Sequence, residues 1–133
     1  MDELYRENIL EHYKHPQNFG SLEDPDLEFS DVNPFCGDEQ EITLKLDQVG
    51  RVSEVAFEGK GCAISIAATS MLTDELIGKT PDEILQISNE KIFDLLGVEL
   101  SATRVKCGLL GLKIAKSAVL TAASEWEPTD KKE

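Results

Sequence analysis

"EITLKLDQVGRVSEVAFEGKGCAISIAATSMLTDELIG" (residues 41–78) changes its periodicity halfway along. Ile42, Leu44 and Leu46 alternate with Thr43 and Lys45, the two-residue period of a half-buried strand. Val52, Val55 and Phe57 continue less regularly after a turn signal at Val49-Gly50, so the two segments predict an antiparallel hairpin. From Ala63 small and apolar residues recur at helical spacing and stop at Gly78. A strand pair therefore feeds directly into a helix.

The flanking sequence extends this pattern. Upstream, "DLEFSDV" (residues 26–32) is a weaker third strand. Leu4, Ile9, Leu10 and Tyr13 mark one face of an N-terminal helix that should end before Pro16, and "PQNFGSLEDPD" follows as a polar connection. Downstream, "TPDEILQIS" offers a Thr N-cap with Pro81 in the first turn, and "NEKIFDLLG" closes on Gly97. "TRVKCGLLGLKIAKSAVLTAASEW" (residues 103–126) is the last and longest helical stretch. Strands first and helices afterwards predict an α+β fold, a small antiparallel sheet of about three strands with helices packed on one face. The expected organisation is a single domain over residues 1–126, with residues 127–133 as a frayed polar tail.

Composition excludes several function classes. The 133 residues are 41% hydrophobic and 29% charged, enough for one buried core. A net charge of −13 argues against nucleic acid, whose phosphates need Lys and Arg, and suits a partner with a basic patch. No apolar run approaches a membrane span, and "MDELYRENILEHY" is amphipathic and acidic rather than a signal peptide. The expected compartment is the cytoplasm. Three cysteines fit poorly with a secreted disulfide framework; in a reducing compartment they are metal ligands, nucleophiles or inert core.

Those cysteines fall at junctions. Cys36 lies in the turn "NPFCGDE" (residues 33–39), Cys62 where a strand gives way to a helix, and Cys107 in the expected opening turn of the last helix. A helix N-terminus presents unpaired N–H groups and a positive dipole end, which stabilise a thiolate. Gly37, Gly59, Gly61 and Gly108 flank them, and glycine lets a ligand approach the backbone closely. Asp38 adds an oxygen donor two residues from Cys36. Three thiolates and a carboxylate form a four-ligand set for a tetrahedral zinc or an iron–sulfur cluster. The spacing is no CxxC…CxxC pattern, so three small buried hydrophobes remain an equal reading. His12 and His15 read as surface or partner-facing groups. Lys106 is placed to pair with Asp38 or support Cys107, a solvated lysine being the plainer reading, and Arg104 to offer a fixed positive charge to thiolates or to a partner.

"NPFCGDE", "EGKGCAISIAATSMLT" and "RVKCGLLGLKIAKSA", in this order, closely resemble the IscU/SufU/NifU-N family of iron–sulfur cluster assembly proteins. The likeness begins at "LYRENILEHYKHPQNFG" and covers nearly the whole chain. It implies that Cys36, Asp38, Cys62 and Cys107 surround one site for a labile [2Fe–2S] cluster or, alternatively, a zinc ion. It also implies that Cys107 receives sulfur as a persulfide from a cysteine desulfurase, and that the cluster passes to apo-proteins. The protein would be a scaffold and sulfur acceptor rather than a turnover enzyme. In "LSATRVKC" Lys106 stands where the IscU branch has a histidine, and no Pro-Pro precedes it, so that branch's dedicated chaperone is not an expected partner. Arg104, Lys106 and Ser65 look more like the SufU branch, whose members are zinc-dependent sulfurtransferases that activate a desulfurase. The segment those proteins usually insert between the second and third cysteines is missing here, which leaves the branch open.

Overall fold

The structure, a computed structural model, describes residues 3–33 and 37–126. The order is α1 (Glu3–Lys14), β1 (Leu27–Asn33), β2 (Asp38–Leu46), β3 (Val52–Lys60), α2 (Ala63–Leu76), α3 (Pro81–Leu85), α4 (Asn89–Leu96) and α5 (Ala102–Trp126). The expected α+β architecture is what forms: the strands make one antiparallel sheet in the order β1-β2-β3. The expected tail at 127–133 lies outside the described residues.

Register explains how one sheet face becomes both core and site. Leu27 pairs with Leu44, Phe29 with Ile42, Asp31 with Gln40 and Asn33 with Asp38. On the other side Ile42 pairs with Phe57 and Leu44 with Val55. Side chains alternate along a strand, so Leu44, Ile42, Gln40 and Asp38 share a face. The first two, with Phe57, are 0% exposed and anchor the hydrophobic core; the last two are the polar end of the same row. Gly59 makes the tight β2–β3 pairing possible there. Its φ is +147°, and a Cβ would collide with the Glu39 carbonyl oxygen and lie 2.7 Å from Gln40 Cα.

The helices cover this face, with α2 central. Its residues from Ser65 to Thr73 are all buried, which its small side chains allow. Among the described residues no buried side-chain N or O atom lacks a partner. Ser70 Oγ accepts from the Gln17 N–H at 2.8 Å and lies 2.7 Å from His12 Nδ1, tying α1 and its following loop to α2. Thr80 and Glu83 form a reciprocal capping box at α3, and Gly97 ends α4 in the left-handed conformation at φ 70°.

Two local expectations change. Of the face predicted for α1, Ile9 is buried but Leu10 and Tyr13 are 40% and 43% exposed, because the helix packs through Ile9 and His12 instead. The last helix begins at Ala102, where Ser101 Oγ accepts from the Arg104 N–H at 3.4 Å. Cys107 therefore sits in the second turn, not the opening one. Its amide is inside the helical ladder, and the dipole argument for its thiolate does not hold.

Candidate metal centre

Asp38, Cys62 and Cys107 come together at the polar end of the sheet, with one donor atom from each lying within 4.8 Å of the others. Three elements deliver them. Asp38 opens β2 on the inner face; Cys62 is the N-cap of α2; Cys107 projects from α5. Cys36, expected as the fourth ligand, lies outside the described residues.

Cys62 has extended backbone (φ −75°, ψ 170°), and its Sγ accepts from the Ser65 N–H at 3.4 Å. The sulfur thus occupies the place of a capping oxygen, facing the positive end of α2, which favours negative charge there. The Cys62 N–H donates to Asp38 Oδ1 at 3.2 Å, and Cys62 Sγ lies 3.9 Å from Asp38 Oδ2. The Asn33 side-chain amide donates to Cys107 Sγ at 3.9 Å. Asn33 and Asp38 are register partners, so β1 supports one ligand while β2 provides another.

The donor set suits a metal. Two sulfurs and one carboxylate match zinc or iron, and tetrahedral coordination places such donors about 3.5–3.8 Å apart, a modest contraction of the observed spacing. Gly61 lets the cradle close: a Cβ there would stand 3.0 Å from Asp38 Cγ and Oδ1 and 3.1 Å from Ser65 Oγ. Gly108 has a different role from the one expected. It faces Leu100 and Ile64 in the helix packing, not the site. Asp38 and Cys107 are 3% and 5% exposed and Cys62 is half-buried, so the cradle is largely shielded from solvent.

Arg104 and Lys106 are both exposed. Lys106 lines a groove of about 520 Å³ with Val32, Asn33, Leu110 and Lys113, so this groove and Cys107 share Asn33 as a wall. Lys113 Nζ lies 3.0 Å from Asp31 Oδ2 at its rim. His15 is exposed, and His12 engages Ser70 away from the donors. Sequence reasoning treated Asn33 only as a turn former and missed Gln40 altogether. The available signal was the two-residue period, which puts both on the face that carries Asp38.

The NifU-like N terminal domain family matches residues 4–126. The zinc-dependent sulfurtransferase SufU of Bacillus subtilis is 36% identical over 138 aligned positions, covering 90% of this chain and 91% of that one. That alignment is longer than the chain, so the relative carries residues that this protein lacks. The iron–sulfur cluster assembly enzyme IscU of Drosophila melanogaster is 33% identical over 119 positions, covering 87% and 76%. Among solved structures, a putative iron–sulfur cluster assembly scaffold for the SUF system from Fervidobacterium islandicum superposes with a TM-score of 0.72 at 29% identity, covering 85% of this chain and 94% of that one. No helix among the described residues is long and apolar enough to cross a membrane. Sequence, fold and donor set agree, and the chain belongs to the IscU/SufU/NifU-N family.

Proposed function

We propose that this protein is an iron–sulfur cluster assembly scaffold. It takes sulfur from a cysteine desulfurase, builds a [2Fe–2S] cluster with iron on Cys36, Asp38, Cys62 and Cys107, and passes it to apo-proteins. The observation that carries this reading is the convergence of Asp38, Cys62 and Cys107 from three separate elements. One carboxylate among thiolates fits cargo rather than a resident group, since iron holds carboxylate less tenaciously than sulfur.

Cys107 is the proposed sulfur acceptor. Its thiolate attacks the outer sulfur of the donor's persulfide, a new S–S bond forms, and the donor leaves as a thiolate. Cys107 is buried, and Asn33, whose amide donates to its Sγ, also lines the groove; displacement of that amide is the proposed way in. Lys106 on that groove is positioned for the incoming partner rather than for ligation.

A second reading is a zinc-dependent sulfurtransferase that activates its desulfurase and holds no cluster. The 36% identity to the Bacillus protein favours it, as does Arg104. Anaerobic incubation with desulfurase, cysteine and ferrous iron separates the two. The scaffold reading expects sulfide-to-iron absorption in the visible range with two irons per site. Stoichiometric zinc that resists replacement, with no such absorption, would establish the sulfurtransferase instead. Mass spectrometry tests Cys107: an added sulfur found only on Cys36 or Cys62 would reject that assignment.

A further inference from the structure

Beneath the three donors lies a buried polar cluster that the proposed chemistry does not use. Gln40, Ser65 and Thr69 are 2%, 0% and 1% exposed. Gln40 Nε2 donates to Ser65 Oγ at 2.7 Å and to the Ser65 carbonyl at 3.3 Å, and Thr69 Oγ1 donates to Gln40 Oε1 at 2.6 Å. On its other side Thr69 abuts Gly111 of α5. A Cβ on Gly111 would collide with Thr69 Oγ1 and lie 3.0 Å from Thr69 Cβ, so α2 and α5 approach here as closely as the threonine permits.

Every element that carries a described donor is joined at this point. Gln40 is two residues from Asp38 on the same face of β2, roughly 7 Å along the strand. Thr69 lies two turns below Cys62 on α2, roughly 10 Å. Gly111 lies one turn beyond Cys107 on α5, roughly 6 Å. Ser65 adds a direct link upward through its N–H to Cys62 Sγ.

We propose that the Gln40–Ser65–Thr69 cluster, seated on Gly111, is the positioning device of the metal centre: it sets the separation of Asp38, Cys62 and Cys107. Apolar side chains could fill this space at a modest loss of stability, since each buried hydrogen bond contributes only a little net of desolvation. They would not resist sliding of α2 against β2 or α5. Directional bonds to one amide, and a contact that admits no Cβ, do resist it. Thr69 is the spacer, and Gln40 holds the strand and helix in register. The inference rests on the reading that the three donors share one metal.

Cobalt(II) titration under anaerobic conditions tests it, because the visible bands report thiolate number and geometry at the metal. Thr69→Val removes the hydroxyl donor at nearly constant shape, and Gly111→Ala pushes on the spacer. Both are expected to weaken zinc binding about tenfold or more, measured by competition with a chromophoric chelator, and to alter the cobalt bands. Thr69→Ser keeps the donor and should restore wild-type spectra. Ile84→Val, a core change in α3 away from the crossing, should lower the unfolding temperature and leave the bands unchanged. If Gly111→Ala does not fold, the contrast between valine and serine at position 69 decides alone. Valine within twofold of wild type, or losses matched by Ile84→Val at equal loss of stability, would overturn the positioning role. Wild-type protein that takes up no cobalt would overturn the metal-centre reading itself, and this inference with it.

Discussion

Gln40→Leu should lower the unfolding free energy of the metal-free protein by about 2–3 kcal/mol. The wild-type amide makes three hydrogen bonds in a fully buried setting, each contributing about 1 kcal/mol net. Leucine fills a similar volume, so no cavity adds to the loss. The abandoned Ser65 and Thr69 hydroxyls would cost more if stranded, but both sit in α2 and can bond back to carbonyls one turn earlier. For a chain of this size the loss amounts to a fall of roughly 10 °C in unfolding temperature. Urea unfolding followed by circular dichroism, with chelator present, measures it directly. The double variant with Thr69→Val provides the sharper test, because both changes remove the same Thr69–Gln40 hydrogen bond, which can be lost only once. Its loss should fall short of the sum by about 1 kcal/mol or more. Strict additivity, or a Gln40→Leu effect below about 0.5 kcal/mol, would refute the reasoning that these bonds act as one unit.

Three further outcomes follow from other parts of the fold. Asp38→Cys should slow cluster transfer to an apo-acceptor several-fold, because a fourth thiolate replaces the weak arm of the ligand set; unchanged transfer kinetics would count against the lability argument. Gly59→Ala should destabilise the protein by about 2–4 kcal/mol in thermal unfolding, since the new Cβ meets backbone at a φ of +147°. Acid should weaken the β1–α5 contact: a hydrogen bond from Lys113, then one from the Val32 N–H, holds the Asp31 carboxyl below its ordinary 3.8. A depressed folded value means that the contribution is present above the ordinary value and is lost as pH falls through the folded one. Lys113→Met should therefore flatten the stability-versus-pH curve below about pH 4, and an unchanged slope there would show that the ion pair is unimportant.

The hairpin and helix ends were legible because their signals are local: alternation in residues 42–46, a capping box at Thr80, a left-handed glycine at position 97. The start of α5 was less so. Ser101 is a good N-cap, but Leu100 and Val98 before it carry no periodic signal, and the helix could equally have begun one or two residues later. The ligand positions were legible through the motifs that carry the family resemblance. Their support was not. The period of Ile42 and Leu44 puts Gln40 on the inward face, but nothing local says what it meets there, and the Thr69–Gly111 contact joins residues 42 positions apart, beyond the reach of any local pattern.

The loop after α1 has a consequence for how the protein keeps to itself. β3 is an edge strand, and an uncovered edge offers its backbone to any passing strand. Here Phe57 is already engaged: its N–H donates to the Asn18 carbonyl at 2.9 Å, and its carbonyl accepts from Gly20 at 2.7 Å. Phe19 stacks edge-on over the Phe57 ring at 5.3 Å. At the other end Val52 exchanges bonds with Lys79 and Gly78. Intramolecular clasps thus occupy this rim at Val52 and at Phe57, where a strand from another molecule would otherwise add. Shortening the 16–26 connection would expose that rim, and the resulting loss would be one of solubility before one of activity.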